Sequence, residues 1–595
     1  MRPLLLWLLL GGLLGDASLL PAEESLPCGK LFIIGGGLRP DNAAMYQRII
    51  ESAGGRERAR LALFRCASES ANPAREAGEN FVRYGISRDR LTIVDLTPEN
   101  ADRQAFSPAI VDQIRRSSGA YFTGGDQTRI TRAFLKPDGA ATPALLALKD
   151  MWRRGGVIAG TSAGAAMQSS RMLSAAGLPD DALDEGMDAL DFGIRRDLRQ
   201  RGLLVTDGLG FFHAGIVDQH FSQYRGRLGR LARALIEEHI RFGFGVDENT
   251  AMLVCGDGRI EVVGTGNLTI VDVANARCSD GPLGCRISGV RLPCLQSGDR
   301  FDPATGAITV RPEKKPIEEG SQDFNGNHLI ADIAGPGAVP WAMFSGLAEN
   351  SSRKQMGITL RYNRGFGHGY RFTFAKTEKT VAYGGYADHF YAHAVDGIRL
   401  DISPILYTQQ DPQNALPVDL PSGSARSALE CLWFRGILLA DKRRRLRPAE
   451  PILRAELANA LVQSVRLTTP RRGLSRVTDV DPSAEEAEEV VQVLAAGLMK
   501  LGADGRYRPS EAVTRIDAAQ SLLGLAERLG MKYPPANPLP LKDEIDLPVP
   551  DRAAVFMALR AGLMRVDKEN RFCPASFLTR QEAAEALSRV ICFSW

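Results

Sequence analysis

At 595 residues the chain is too long for one hydrophobic core, and its length suggests roughly three to four domains. Charged residues at 24% and hydrophobic residues at 44% are ordinary for soluble globular protein. A formal net charge of +3 is close to balance, so nucleic acid is not expected as the main partner, and the basic run at 442–445 reads as a solvated loop.

In chain order, Arg2 precedes a leucine-rich apolar stretch that ends at small residues near Gly15-Asp16-Ala17. This pattern predicts a secretory signal peptide over residues 1–24; the apolar run is shorter than the ~20 residues of a spanning helix. Cys28 follows Pro27 rather than a small residue, so a lipoprotein signal is not expected. Export permits disulfides, and with nine cysteines at least one thiol has no intrachain partner. Cys278, Cys285 and Cys294 lie close together, and Cys573 and Cys592 could pair, but the connectivity stays open. No spacing is C-x-x-C and no histidine lies near the central trio, so no metal site is expected.

The apolar run 30–34 reads as a first core strand whose glycine loop, Gly35-Gly36-Gly37, must approach something closely. No G-x-G-x-x-G or Walker lysine follows, so the loop is expected to line an active site, and no cofactor is called for. A helix over about 42–53, a strand at 61–64, a further helix and strands at 91–94 and 120–122 predict a doubly wound, largely parallel α/β sheet, with functional loops at the C-terminal strand ends. Gln127 falls on that edge, and Asp126 beside it is a candidate helix N-cap. Next, Gly156-Val157-Ile158-Ala159 runs into Gly160-Thr161-Ser162-Ala163-Gly164, the strand–turn–helix setting of a nucleophile elbow, with Gly36, Gly37 and Ala163 as candidate oxyanion-hole amides. Downstream, Asp218-Gln219-His220 offers a general base, with His213 as competitor, and Arg225, Arg227 and Arg230 could recognise carboxylates through paired hydrogen bonds. Glu248, in Asp247-Glu248-Asn249, is the candidate acid that orients the imidazole. The order Ser162, His220, Glu248 departs from the serine–acid–histidine order of α/β-hydrolases; a serine variant of a class I glutaminase-like fold fits it better.

Four segments in this order, F-T-G-G-D-Q at 122–127, G-T-S-A-G-A at 160–165, D-Q-H-F at 218–221 and D-E-N-T-A at 247–251, resemble the cyanophycinase family of serine peptidases over roughly residues 30–275. The resemblance implies hydrolysis of cyanophycin, a poly-aspartate whose side chains carry amide-linked arginine, to β-Asp-Arg dipeptides. It implies Ser162 as nucleophile, His220 as base and Glu248 as orienting acid, with Gln127, Asp218, Gln219, Arg225, Arg227 and Arg230 binding substrate. Two features depart from the pattern: Tyr224 stands where the family places its first arginine, and the acid after the first glycine-rich strand end is absent. An aspartyl dipeptidase on the same fold and a non-catalytic envelope scaffold are the competing expectations.

From 289 to about 420, alternation of apolar and polar residues, as at 357–362 and 370–374, predicts a β-rich domain separate from the catalytic domain at 25–288. His389 and His393 stand four apart there, but the aromatic residues around them favour packing over metal binding. Residues 421–595 contain a threefold repeat: Gly436, Gly497 and Gly562 are each followed twelve residues later by Pro448, Pro509 or Pro574, and six after that by Arg454, Arg515 or Arg580. The segments L-R-A-E, T-R-I-D and T-R-Q-E resemble the signature of S-layer homology domains. That resemblance implies binding of a cell-envelope polymer, with the three arginines either contacting its anionic groups or bracing their own repeats. The expected protein is thus secreted and held at the cell envelope, and a homodimer is the candidate assembly.

Overall fold

The computed structural model describes residues 29–595 apart from 175–181, 196–200, 282, 321–325, 327, 364–365, 388–389, 409–416, 435–436, 442, 466, 468–476, 482–483, 485, 530, 532–539 and 593–595. The expected signal peptide, Cys28, His389, Gly436 and the Cys592 side chain lie outside the described residues.

Strands β1 (Lys30–Ile34), β2 (Leu61–Phe64), β3 (Leu91–Val94), β4 (Gly119–Phe122) and β5 (Val157–Thr161) run parallel in the order β3-β2-β4-β5-β1. The apolar runs of β1, β2, β4 and β5 follow from burial on both faces, whereas β3 at the sheet edge leaves Ile93 exposed. In β1, Leu31 and Ile33 join one core with Ile114 and Leu148, while Phe32 and Ile34 join another with Met45, Ile49 and Phe81. Successive side chains point to opposite faces, so each needs an apolar neighbour of its own. The predicted helix at 42–53 is Ala43–Ser52, with the Asn42 side chain accepting from the Met45 amide as its N-cap. Beyond β1 the sheet continues antiparallel through Thr250–Val254 and Ile260–Gly264.

A second sheet begins at an edge strand, Ile216–Gln219, which runs parallel to Phe242–Val246. It continues antiparallel through Leu268–Asp272, Gly284–Leu295, Phe390–Thr408, Phe366–Ala375 and Lys354–Asn363. The boundary expected between 288 and 289 therefore falls inside the strand Gly284–Leu295. Lys354–Asn363, Phe366–Ala375 and Phe390–Thr408 extend the sheet that carries the Asp218-Gln219 edge, and the pairing that joins them to it, between Gly284–Leu295 and Phe390–Thr408, spans more than a hundred residues, which local composition does not report. Helix Arg227–Glu237 packs on this sheet, with Leu231 and Leu235 in the same core as Val290, Leu292 and Leu400.

The C-terminal part is helical and built on a closed ring of contacts. Helices Arg454–Ser464, Arg515–Arg528 and Arg580–Cys592 each start at a repeat arginine. The first two amides of each helix donate to the loop after the next repeat's proline: Arg454 and Ala455 to Glu511 and Pro509, Arg515 and Ile516 to Ser576 and Pro574, Arg580 and Gln581 to Glu450 and Pro448. Helix N-termini leave such donors unpaired, and here the neighbouring copy supplies the acceptors. The acid three residues into each helix bonds back to the residue before the helix: Glu456 accepts from the Leu453 amide, Asp517 accepts from the Thr514 hydroxyl, and Glu582 accepts from the Thr579 amide.

The arginine side chains close the same ring. Arg454 donates to the Tyr507 and Lys500 carbonyls, Arg515 to the Phe572 and Arg565 carbonyls and to Glu582, and Arg580 to the Leu439 carbonyl and Glu456. They brace the next repeat rather than their own. Arg515→Ala strands the buried Phe572 carbonyl and removes the donor from two part-buried acceptors, the Arg565 carbonyl and Glu582, and is expected to cost about 2 kcal/mol. Arg515→Lys recovers little, because an ammonium lacks the planar fork that meets separated acceptors. Urea unfolding of the full chain, with amide exchange read in Arg515–Arg528, checks both.

Candidate functional site

The end of β1 organises the site through its backbone. Three successive carbonyls, of Ile34, Gly35 and Gly36, accept from the amides of Ser162 (3.0 Å), His220 (2.6 Å) and Asn249 (2.8 Å). Ser162 follows β5, His220 follows the edge strand of the second sheet, and Glu248 lies in the turn where the chain leaves Phe242–Val246 of the second sheet and enters Thr250–Val254 of the first. The site thus sits on the seam between the sheets. Each residue held by those carbonyls takes a positive φ: Ser162 at 55°, His220 at 49° and Asn249 at 54°. For residues with a Cβ this conformation costs about 1–3 kcal/mol each, so the surrounding contacts must impose it. The turn at Ser162 is the sharp strand-to-helix elbow expected there, leading into the short helix Ala163–Ala166.

The side chains form one chain of hydrogen bonds. His220 Nε2 lies 2.8 Å from Ser162 Oγ, and His220 Nδ1 lies 2.7 Å from Glu248 Oε1. With Glu248 accepting from Nδ1–H, Nε2 is left as the acceptor for the serine hydroxyl proton, the arrangement a general base needs. Burial disfavours the imidazolium and lowers the His220 pKa below its ordinary value, a trend that the Glu248 hydrogen bond partly offsets. Gly36 and Gly37 are required by this packing. A Cβ on Gly36 would lie 2.1 Å from His220 Cε1, and one on Gly37 would lie 2.7 Å from Glu248 Oε2. Gly124 takes the corresponding place at Ser162, where a Cβ would lie 3.2 Å from the serine Cβ.

The other expected residues are placed less openly than a binding role requires. Asp218 is fully buried and accepts from Arg227 NH1 (2.7 Å) and from Arg230 Nε and NH2 (2.9 and 2.6 Å). Burial would raise its pKa, but the two guanidiniums more than offset this and hold the carboxyl below its ordinary range. Arg227 and Arg230 are buried with it, so they tie helix Arg227–Glu237 to the edge strand instead of facing a cleft. Arg225 lies before that helix and forms a two-pronged ion pair with Asp332, from the β-rich region; both side chains are more than a third exposed. Gln127 is buried, with Nε2 donating to the Leu173 carbonyl at 2.7 Å, and Gln219 is buried too. Asp126 caps the helix Gln127–Phe134 as expected, accepting from the Thr128 amide. His213 is bonded through Nδ1 to Ser170 and takes no part. His393 is bonded to Glu349 and stacked on Phe344.

Several contributors have no role assigned by the sequence motifs. Tyr224, at the position of the departure noted above, stacks on the His220 ring at 4.7 Å, and the Arg227 guanidinium lies over the Tyr224 ring. Gln223 Oε1 accepts from the Glu248 amide, and Asp247 accepts from the Ser222 and Asn267 amides, fixing both sides of the acid. Gly337 donates to the Ser222 carbonyl at 2.7 Å, so the segment around Asp332 rests on the loop that follows His220. Adjacency to His220 and Glu248 could have marked Tyr224, Gln223 and Asp247. Nothing local marks Asp332, more than a hundred residues away.

Labelling of Ser162 by a fluorophosphonate should speed up with rising pH as His220 loses its proton, with a midpoint below the usual imidazole value of ~6.5. Glu248→Gln removes the bond that favours the cation, so the midpoint moves lower still while the plateau rate falls, by about 10³-fold or more. A midpoint at or above the usual value would contradict the buried, neutral imidazole.

Residues 31–262 match the description peptidase family S51, and residues 478–519 match the S-layer homology domain. The chain is 30% identical over 242 residues to the cyanophycinase of Nostoc sp. (strain PCC 7120), an alignment covering 39% of this chain and 72% of that protein. It is 31% identical over 237 residues to the cyanophycinase of Synechococcus elongatus, covering 38% and 65%. Among solved structures, a peptidase from an acI-B1 Actinobacterium is 21% identical with a TM-score of 0.32, covering 41% of this chain and 91% of that one.

Proposed function

The chain belongs to the cyanophycinase family of serine peptidases and carries an S-layer homology domain, and on that premise we propose that it hydrolyses cyanophycin to β-Asp-Arg dipeptides through Ser162, His220 and Glu248. The observation that carries this is the unbroken Ser162–His220–Glu248 hydrogen-bond chain, inside the segment shared with the cyanophycinases. Ser162 Oγ attacks an aspartyl α-carbonyl as His220 Nε2 takes its proton, and Glu248 stabilises the imidazolium through Nδ1–H. The tetrahedral intermediate collapses by expelling the amine, which His220 protonates. Water, deprotonated by the same imidazole, then hydrolyses the ester and frees Ser162. The amide of Ala163, directly after the nucleophile, is one oxyanion donor in this scheme, with the glycine loops supplying the other.

Substrate selection falls to groups that stay accessible. The polymer presents a guanidinium and a carboxylate at each unit, and the exposed Arg225–Asp332 pair is its complement in both charges. An exposed ion pair contributes at most about 1 kcal/mol, so substrate groups can exchange with it at little cost. Arg227, Arg230 and Asp218 serve instead as the buried frame of the His220 loop.

For the rest of the chain, the supported placement is export followed by attachment to the envelope through three S-layer homology repeats. Where the ring closes between its first and last copies lies a cavity of about 330 Å³, lined by Asp441, Arg447, Glu456, Asn459, Glu486 and Arg580 among others. Its mixed charged and amide lining suits a hydroxyl-rich anionic polymer.

Incubating the purified full chain with cyanophycin should release β-Asp-Arg, with Ser162→Ala and His220→Ala each slower by about 10³-fold or more. No release by the wild type would sink the assignment, and faster cleavage of simple aspartyl dipeptides would move it to a dipeptidase.

A further inference from the structure

Away from the serine site, the hairpin of Arg277–Gly281 and Gly284–Leu295 brings two thiols together. Cys278 stands opposite Ile287 and Cys285 opposite Asp280, so the two cysteines are diagonal neighbours on one face of the antiparallel pair. Their sulfurs lie 2.8 Å apart. The ladder runs down to Gly281 opposite Gly284, which holds the register at the hairpin end. Gly284 takes φ +106°, where a Cβ would meet the Tyr370 hydroxyl at 2.0 Å, so its backbone is fixed against the neighbouring strand. Cys285 is buried in the core under helix Arg227–Glu237, whereas Cys278 on the edge strand is partly open.

Arg233, buried in that helix, aims its guanidinium at the same spot. NH1 lies 3.1 Å from Cys278 Sγ and 2.6 Å from Asp280 Oδ1, and NH2 lies 3.1 Å from Asp280 Oδ2. Cys278, Asp280 and Cys285 have the spacing of a three-ligand metal group. The guanidinium already satisfies two of those three groups as a fixed cation, which leaves a dithiol beside a positive charge rather than a metal cage.

We propose that Cys278 and Cys285 are a thiol–disulfide exchange site, in which Cys278 attacks and Cys285 resolves to staple the hairpin to itself. The Cys285 hydrogen bond and Arg233 hold the Cys278 thiol below its ordinary pKa, while the same bond and burial push Cys285 up, which sets this order of attack. The Cys278 thiolate attacks one sulfur of a small disulfide, R–S–S–R, forming a mixed disulfide and releasing R–S⁻. That thiolate takes the Cys285 proton. The Cys285 sulfur then attacks Cys278 Sγ and expels the second R–S⁻, which takes up the proton that the Cys278 thiol gave up on ionising. Two protein thiols and R–S–S–R become one protein disulfide and two R–SH.

Trypsin cuts after Arg277 and Arg286, so both cysteines fall in one peptide, residues 278–286. Reduced full-length chain is treated with oxidised glutathione, alkylated with iodoacetamide, digested and weighed. The expected peptide carries no alkyl group and is lighter than its dithiol form by about 2 Da, and dithiothreitol reverses this. Cys285→Ser should stop at glutathione on Cys278, and Cys278→Ser should leave Cys285 without glutathione. Full alkylation of both cysteines in wild type after oxidation, or glutathione trapped on Cys285, would overturn the proposal. So would stoichiometric zinc that shields both thiols in the purified chain and is lost in Cys278→Ser. Because the decisive mass is read on wild type, a serine variant that fails to fold does not blunt the test.

Discussion

Three consecutive carbonyls at the end of the first strand are the constraint on which the site depends. Ile34, Gly35 and Gly36 accept from Ser162, His220 and Asn249, and so fix the backbone of two catalytic candidates and of the residue next to the third, Glu248, from a single short segment. Each recipient adopts a left-handed backbone that it would avoid in isolation. The strain is sustained because β1 is locked on both sides, parallel to β5 and antiparallel to Thr250–Val254, with both faces in apolar cores. The glycines at 36 and 37 then let the imidazole and the carboxylate approach the strand end closely enough to align. Sheet packing and catalytic geometry are in this sense one structure.

The seam position explains why the acid comes from where it does. The chain crosses from the second sheet to the first through Asp247-Glu248-Asn249, and Asp247 and Asn249 anchor the turn on either side of Glu248. The β-rich residues beyond 289 belong to the same frame. They widen the second sheet and send Asp332 and Gly337 back onto the loop after His220. A region without a motif thus reaches the site through the loop that follows His220.

Much of this was legible in the sequence, and the limits have physical causes. Four of the five parallel strands announced themselves because double-sided burial forces continuous apolar runs, while the edge strand β3 is legible from its β-branched residues alone. Ser162 could be recognised because its strained turn needs small flanking residues, and His220 because so few histidines exist to choose from. The arginines were harder. A cluster beside a candidate base looks the same whether it faces a ligand or a buried carboxylate, and the answer depended on Asp218 being fully enclosed and on Asp332 arriving from far along the chain. The repeat spacing was visible as Pro448, Pro509 and Pro574 ahead of Arg454, Arg515 and Arg580. That each arginine reaches into the next copy and closes a ring is a property of the packed arrangement, which one-dimensional spacing does not carry.

The central claim is that Ser162 becomes acylated by substrate and that His220 governs both halves of the cycle. The most direct measurement is to mix the full chain with cyanophycin, quench in acid during the first turnovers and weigh the peptide that contains Ser162. The account predicts a substrate-derived ester on Ser162 that forms before dipeptide appears and decays as it accumulates. Dipeptide release with Ser162 unmodified throughout, or an ester mapped to any other residue, would contradict it.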